Sequence, residues 1–280
     1  MDINERNMKQ IFLMNVWLVI SIFLAAVGLS QEGVVVDKRP NIIVILVDDM
    51  RWDEFGLAGH NYIKTPNIDR IATEGANFKN AFATTPLCSP SRASFFTGLY
   101  AHSHGITDNT DRSKQSHELI TFPSILCAHR YNTAFIGKWH MGNDDTQRPG
   151  FDYWVALKGQ GKAIDPELNI NGERLIIKGY VTDILTDYAL KFIHQKRNTP
   201  FLLYLSHKAI HPNLHQRNDG SIIPVEGGGF IPAKRHEGVY ADAVFKRRPN
   251  AFIPPTNKPA LARKIGLLPP LGPETATKEA

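Results

Sequence analysis

The chain has 280 residues, 42% of them hydrophobic and 21% charged, which is ordinary for a globular protein with a sizeable core and excludes a fibrous or wholly disordered one. A net charge of +5 at pH 7 is spread along the sequence without clustered Lys/Arg runs. That pattern excludes a nucleic-acid reader built on a basic stripe and leaves room for a small sulfated or phosphorylated substrate.

Residues 1–30 stand apart. Arg6 and Lys9 precede IFLMNVWLVISIFLAAVGLS, an apolar run ending in small residues at Gly28 and Ser30. The order is that of a secretory signal peptide, with cleavage expected after Ser30; an uncleaved membrane anchor is the alternative. Either one places the body of the chain outside the cytoplasm, periplasmic or secreted. In that compartment Cys88 and Cys127, the two cysteines, are able to pair.

NIIVILVDDM, residues 41–50, predicts a strand buried on both faces of a parallel sheet, with Asp48 and Asp49 at its carboxyl end. TPNIDRIATEG predicts a short helix opened by Thr65 and Pro66, closed by Gly75, and apolar along Ile68, Ile71 and Ala72. Next, Ser89 reads as an N-cap and Pro90 as the first helical residue of SRASFFT, which ends at Gly98. Cys88 then sits at a helix N-terminus, where free N–H groups favour an anion, and Arg92 lies in the first turn.

A helix over TFPSILCAHR is capped by Thr121 and has Ile125, Leu126 and a buried, inert Cys127 in its apolar stripe. Thr133 to Ile136 form a strand from whose end Gly137, Lys138, Trp139 and His140 emerge. TDILTDYALKFIHQKR, residues 182–197, is the clearest helix, with Ile184, Leu185, Tyr188, Ala189, Phe192 and Ile193 on one face. FLLYLS, 201–206, is a further buried strand running out into His207, Lys208 and His211.

Ten of the 18 prolines lie at or after Pro212, and Gly227 to Gly229 read as a hinge. The last seventy residues are therefore expected to be loop-rich, with a disordered tail over 246–280. Strands alternating with helices predict an α/β layered fold with a mainly parallel sheet, in which ligands bind beyond the carboxyl ends of the strands. Asp48 and Asp49, Lys138 and His140, and His207 and His211 all fall at that edge. Paired carboxylates there suit Ca²⁺ or Mg²⁺, Arg92 and Lys138 suit a tetrahedral oxyanion, and neutral histidines can pass a proton to a leaving oxygen.

Cys88-Ser89-Pro90-Ser91-Arg92 fits the C-x-P-S-R signature of the sulfatase family, and YNTAFIGKWH, residues 131–140, resembles the second signature of that family. NIIVILVDD resembles its first metal-binding strand and FLLYLSHKAIHP the strand carrying its leaving-group histidine. The resemblance covers about residues 41–245, and a catalytic domain is assigned to 31–245. It implies an alkaline-phosphatase-like fold and a Cys88 oxidised to Cα-formylglycine by a formylglycine-generating enzyme, which removes the thiol from any disulfide. It further implies that the aldehyde hydrate attacks the sulfur of a sulfate ester. By the same resemblance Asp48, Asp49 and residue 88 ligate Ca²⁺, with Mg²⁺ the alternative, and Arg92 orients the diol. Lys138 and His211 contact the sulfate, His140 assists the diol, and His207 has no assigned role.

RPGFDYWVALKGQG, residues 148–161, with DPELNINGE and YADAVF, looks most like bacterial sulfatases acting on glycans, glucosamine-6-sulfatase-like members among them. Family members carry a further strand ending in Asp-Asn-Gly that completes the metal site, and Asn218-Asp219-Gly220 has the reversed order. The resemblance thus implies a C-terminally truncated chain with impaired activity. A pseudoenzyme that binds sulfated ligands without turnover, and a phosphoester hydrolase of related fold, are the alternatives. Nucleic acid is not an expected partner, and the oligomeric state is left open.

Overall fold

A computed structural model describes residues 14–17 and 37–244. The expected signal segment, apart from 14–17, and the expected disordered tail lie outside the described residues. Among the described residues no helix is long and apolar enough to cross a membrane.

In chain order the elements are β1 (Ile42–Val47), α1 (Pro66–Glu74), α2 (Cys88–Thr97), α3 (Ala101–His104), α4 (Ser113–Glu118), α5 (Phe122–Ala128) and β2 (Asn132–Lys138). They continue with β3 (Tyr153–Leu157), β4 (Glu167–Ile170), β5 (Glu173–Ile176), α6 (Val181–Ile193), β6 (Phe201–His207), β7 (Asn213–Gln216) and β8 (Ile222–Gly229). Six strands form one sheet in the order β1-β6-β2-β3-β4-β5. The first four are mutually parallel, while β4 and β5 turn back antiparallel. The predicted α/β architecture is therefore present, as a mixed and mostly parallel sheet.

Each face of the sheet has its own core. On one, Ile184, Leu185, Ala189 and Phe192 of α6 pack on Ala134, Ile136, Leu203 and Leu205. This is the face predicted from the spacing along 182–197, although the helix stops at Ile193 and Arg197 instead sets its guanidinium carbon over the Phe192 ring, 3.9 Å from the centroid. On the other, Phe96 of α2 packs with Phe135, Trp139, Trp154 and Tyr204, and the Phe96–Tyr204 and Phe96–Trp139 centroids lie 4.5 and 4.6 Å apart. Offset and tilted ring pairs of this kind add to what their burial contributes.

Several expectations are corrected. β1 is not buried on both faces: Val44 and Leu46 meet the aromatic core, whereas Ile43 and Ile45 are 48% and 55% exposed. Among the described residues β1 is an edge strand of the sheet, and α6 packs on β2 and β6. The apolar face of α1 likewise stays in solvent, with Ile71 65% exposed. Ser89 does not cap α2. The helix starts two residues earlier, at Cys88, Leu87 is its extended N-cap, and the Ser89 hydroxyl donates instead to the carbonyl of His140 at 2.7 Å.

Thr121 does cap α5, in a capping box with Ser124. Cys127, however, is only half-buried, and Ile125 is 51% exposed, because the two-turn helix turns Pro123 and Phe122 inward. Both cysteines are free thiols. The stretch after Pro212, expected as loop, forms the β7–β8 hairpin, with Asn218, Asp219 and Gly220 in its turn and Gly227 to Gly229 inside β8.

One glycine sets how closely the strands approach at the site. Gly137 has φ +124, and a Cβ there would lie 1.8 Å from the Ser206 carbonyl oxygen of β6. Only Gly tolerates both conditions. Gly137→Ala is expected to cost on the order of 3 kcal/mol or more in urea unfolding. Gly172→Ala, at φ +99 with nothing within 4 Å, is the control and should cost on the order of 1 kcal/mol.

Candidate active site

At the carboxyl edge of the parallel strands the chain buries an ion cluster. Asp48, the residue after β1, is 6% exposed; Arg92 from α2 is 2% exposed and Lys138 at the end of β2 is fully buried. Arg92 Nη2 donates to Asp48 Oδ1 at 2.8 Å, and Lys138 Nζ donates to Asp48 Oδ2 at 2.5 Å. The second arm of the guanidinium donates to the Lys138 carbonyl and to Ser206 Oγ, each at 2.7 Å. Ser206 in turn donates to the Lys138 carbonyl at 2.8 Å. Four elements, β1, α2, β2 and β6, are thus tied by one guanidinium.

Burial alone raises the pKa of Asp48, but Arg92 and Lys138 overcome it and hold the carboxyl well below the ordinary carboxylate range. The same burial lowers Lys138, against the pull of Asp48.

The loop after β6 is locked to the end of β1 by two backbone bonds. Asp48 N donates to Ala209 O, and Ile210 N donates to Asp48 O, both at 2.8 Å. This brings in Lys208, 1% exposed, and His211, whose Nε2 lies 3.6 Å from Asp49 Oδ2. Burial first, then Lys138, pushes the Lys208 ammonium down to about 8. Lys208 donates to the Pro212 carbonyl at 3.0 Å. Burial and then Lys138 also lower His211, and its Nδ1 proton goes to that same carbonyl at 2.7 Å.

His140 is 3% exposed and backbone-strained at φ +48. Its tautomer can be read from a chain of bonds. Gln216 Nε2 donates to Gly220 O at 2.9 Å, so Gln216 Oε1 is the atom facing His140 Nε2 at 2.6 Å. An amide oxygen only accepts. His140 therefore carries its proton on Nε2, and Nδ1 is a buried lone pair with no hydrogen-bond partner among the described residues. Burial, then Lys138 and Arg92, holds the ring well below the ordinary histidine value, so it is neutral at pH 7.

Cys88 opens α2 beside this cluster. Asp48, Asp49 and Cys88 place ligand atoms within 4.8 Å of one another. The carboxylates suit a hard cation in donor type, and an oxygen in place of sulfur at residue 88 would make three hard donors, against the six to eight that Ca²⁺ takes. Each Asp48 oxygen keeps a second lone pair beside Arg92 and Lys138. The set fits such an ion in position and kind and supplies part of its coordination.

Of the residues singled out in the sequence, the structure gathers Asp48, Arg92 and Lys138 by direct bonds, Asp49 and His211 by their 3.6 Å approach, and Cys88 by its carboxylate neighbours. His140 is tied in indirectly, through Ser89, whose hydroxyl donates to its carbonyl. Sequence reasoning missed Lys208, Ser206, Asn109, which accepts from Ser89 N at 2.9 Å, and Gln216. Only Lys208 carried a signal, a lysine leaving a buried strand. Gln216 reaches the site through a hairpin read as loop.

Residues 40–221 match the family Sulfatase. The chain belongs to the sulfatase family. It is 38% identical to an N-acetylglucosamine-6-O-sulfatase of Bacteroides thetaiotaomicron over 77% of this chain and 36% of the relative. It is 30% identical to human N-acetylgalactosamine-6-sulfatase over 78% of this chain and 46% of the relative. A solved complex of a protein with its substrate D-glucosamine-2-N,6-O-disulfate superposes with a TM-score of 0.66 at 38% identity, covering 77% of this chain and 40% of that one. A protein solved with k-i-k-neocarrahexaose gives 0.55 at 28% identity over 62% and 46%. The chain therefore spans less than half the length of these relatives.

Two measurements check the electrostatics. Lys208 has a folded pKa of about 8 against an ordinary 10.5, so between those values the unfolded chain binds more protons and stability rises with pH. Urea unfolding should show that rise in the wild type and a shallower one in Lys208→Met. Long-range ¹H–¹⁵N spectra should report an Nε2–H tautomer for His140 that becomes mixed in Gln216→Leu; an unchanged ring would contradict the assigned hydrogen bond.

Proposed function

We propose that this chain forms the sulfate-binding side of an exported sulfuric ester hydrolase acting on sulfated glycans, with Cys88 as the precursor of its nucleophile. The observation that carries the reading is a charge imbalance. Arg92, Lys138 and Lys208 are each at most 2% exposed; the buried carboxylate of Asp48 accepts from the first two, and Lys208 donates to the neutral Pro212 carbonyl. Uncompensated buried charge is costly, and a sulfate ester arriving beside Cys88 supplies the missing negative charge.

Oxidation of Cys88 to formylglycine would supply, as the aldehyde hydrate, the attacking oxygen. Arg92 keeps Asp48 ionised and in place, so Lys138 and Lys208 are held where charge builds on the sulfuryl oxygens, the arrangement that stabilises such a transition state. His211 has its Nδ1 proton committed to Pro212 O, so it protonates a leaving alcohol from Nε2 only when it carries both protons. His140, with Nδ1 bare, is set to take a proton. Asp48, Asp49 and residue 88 would hold Ca²⁺, with Mg²⁺ the alternative, adding positive charge opposite the sulfate.

Co-expression with a formylglycine-generating enzyme should convert the residue-88 peptide, with mass spectrometry registering loss of the thiol sulfur. The converted chain should release sulfate from glucosamine 6-sulfate, and Cys88→Ala should bring release to background. Full conversion of residue 88 with binding but no release would favour a ligand-binding role over hydrolysis.

A further inference from the structure

At the end of β3 lies a cavity of about 290 Å³, joined to the site through Gln216, which lines it and accepts from His140 Nε2 at 2.6 Å. Its lining includes Lys158, Gln160, Lys162, Glu167, His215 and Gln216. The loop carrying the two lysines closes through Gly161 N donating to Lys158 O at 3.0 Å, and is tied to β7 where Ala163 N donates to Asn213 Oδ1 at 3.3 Å.

Gln160 is 6% exposed. Its Nε2 donates to Gln216 Oε1 at 2.9 Å, so the orientation of the amide is set and Oε1 is a buried acceptor with no hydrogen-bond partner among the described residues. A buried acceptor of that kind is costly unless a donor reaches it. Lys158 and Lys162 are exposed cations at the rim, and Glu167 adds an acceptor. Buried amide, carboxylate and paired ammonium groups around a space of this size match a hydroxylated ring with an acidic substituent.

We propose that this cavity is a second sugar subsite, taking the pyranose unit that adjoins the sulfated one. Gln160 Oε1 accepts from a ring hydroxyl or amide N–H of that unit. Lys158 and Lys162 hold an anionic group on it, either a carboxylate or a second sulfate. The assignment rests on the sulfated-glycan reading above and extends it from one sugar to two. Gln216 is the shared residue, lining the cavity and accepting from His140.

The test is calorimetric titration of the full chain with inorganic sulfate and with three disaccharides that share a 6-sulfated glucosamine. They differ in the neighbour, which is a uronate, a sulfated hexose or a neutral hexose. The wild type is expected to bind at least one acidic-neighbour disaccharide roughly tenfold more tightly than the neutral one, and the two acidic arms tell carboxylate from sulfate. Lys158→Ala/Lys162→Ala, a change at exposed positions, should remove that advantage while leaving inorganic sulfate binding unchanged. Equal affinity for all three disaccharides, or an unaltered acidic preference in the double variant, overturns the subsite and leaves the sulfate site standing. A wild-type chain that binds none of the four probes overturns both readings together.

Discussion

One buried carboxylate organises this molecule. Asp48 accepts from Arg92 on one oxygen and from Lys138 on the other, and those cations come from elements 44 and 90 residues away in sequence. Taking any of the three groups out of water is expensive, and the interaction among them compensates only if the geometry is kept. Removing the carboxylate would leave two buried cations without the anion that neutralises them, a change that costs about 3–5 kcal/mol in comparable pairs. The cluster therefore constrains the fold at least as much as the fold positions the cluster.

The scaffold answers that constraint with close approach. Gly137 lets β2 pass against the Ser206 carbonyl, so Ser206 Oγ, the Lys138 carbonyl and the Arg92 guanidinium meet within hydrogen-bond reach. Trp139, directly after Lys138, points the other way into the aromatic core with Phe96. Alternation along the chain thereby aims a cation at the site while its neighbour anchors the strand end. Cys88 and Arg92 share α2, whose Phe96 is held in that core, so packing of one ring fixes the register of the helix relative to Asp48.

Much of this was legible in the sequence because it is written in local patterns. The apolar run before Asp48, the spacing of Ile184, Leu185, Ala189 and Phe192, and the Cys88-to-Arg92 and Gly137-to-His140 stretches each declare an element and its exit. What was not legible depends on partners far along the chain. Nothing local says that Ile43 and Ile45 lie on the exposed side of what is, among the described residues, an edge strand, since an apolar run reads the same on an edge as at a centre. The hairpin after Pro212 was hidden by its proline and glycines, and with it Gln216. Ser89 looked like a cap because Ser-Pro commonly is one, yet a tertiary acceptor, the His140 carbonyl, took its hydroxyl instead.

The central proposal is that the excess of buried positive charge at Arg92, Lys138 and Lys208 receives a sulfuryl anion, as ester or as released sulfate, next to residue 88. Selenate is nearly isosteric with sulfate and visible by anomalous scattering, so a crystal of the chain grown with selenate addresses the claim without any turnover. The account predicts a selenium peak bounded by Lys138, Lys208 and residue 88, lost in Lys208→Met. A selenium peak elsewhere on the surface, with none beside those three residues, would contradict it.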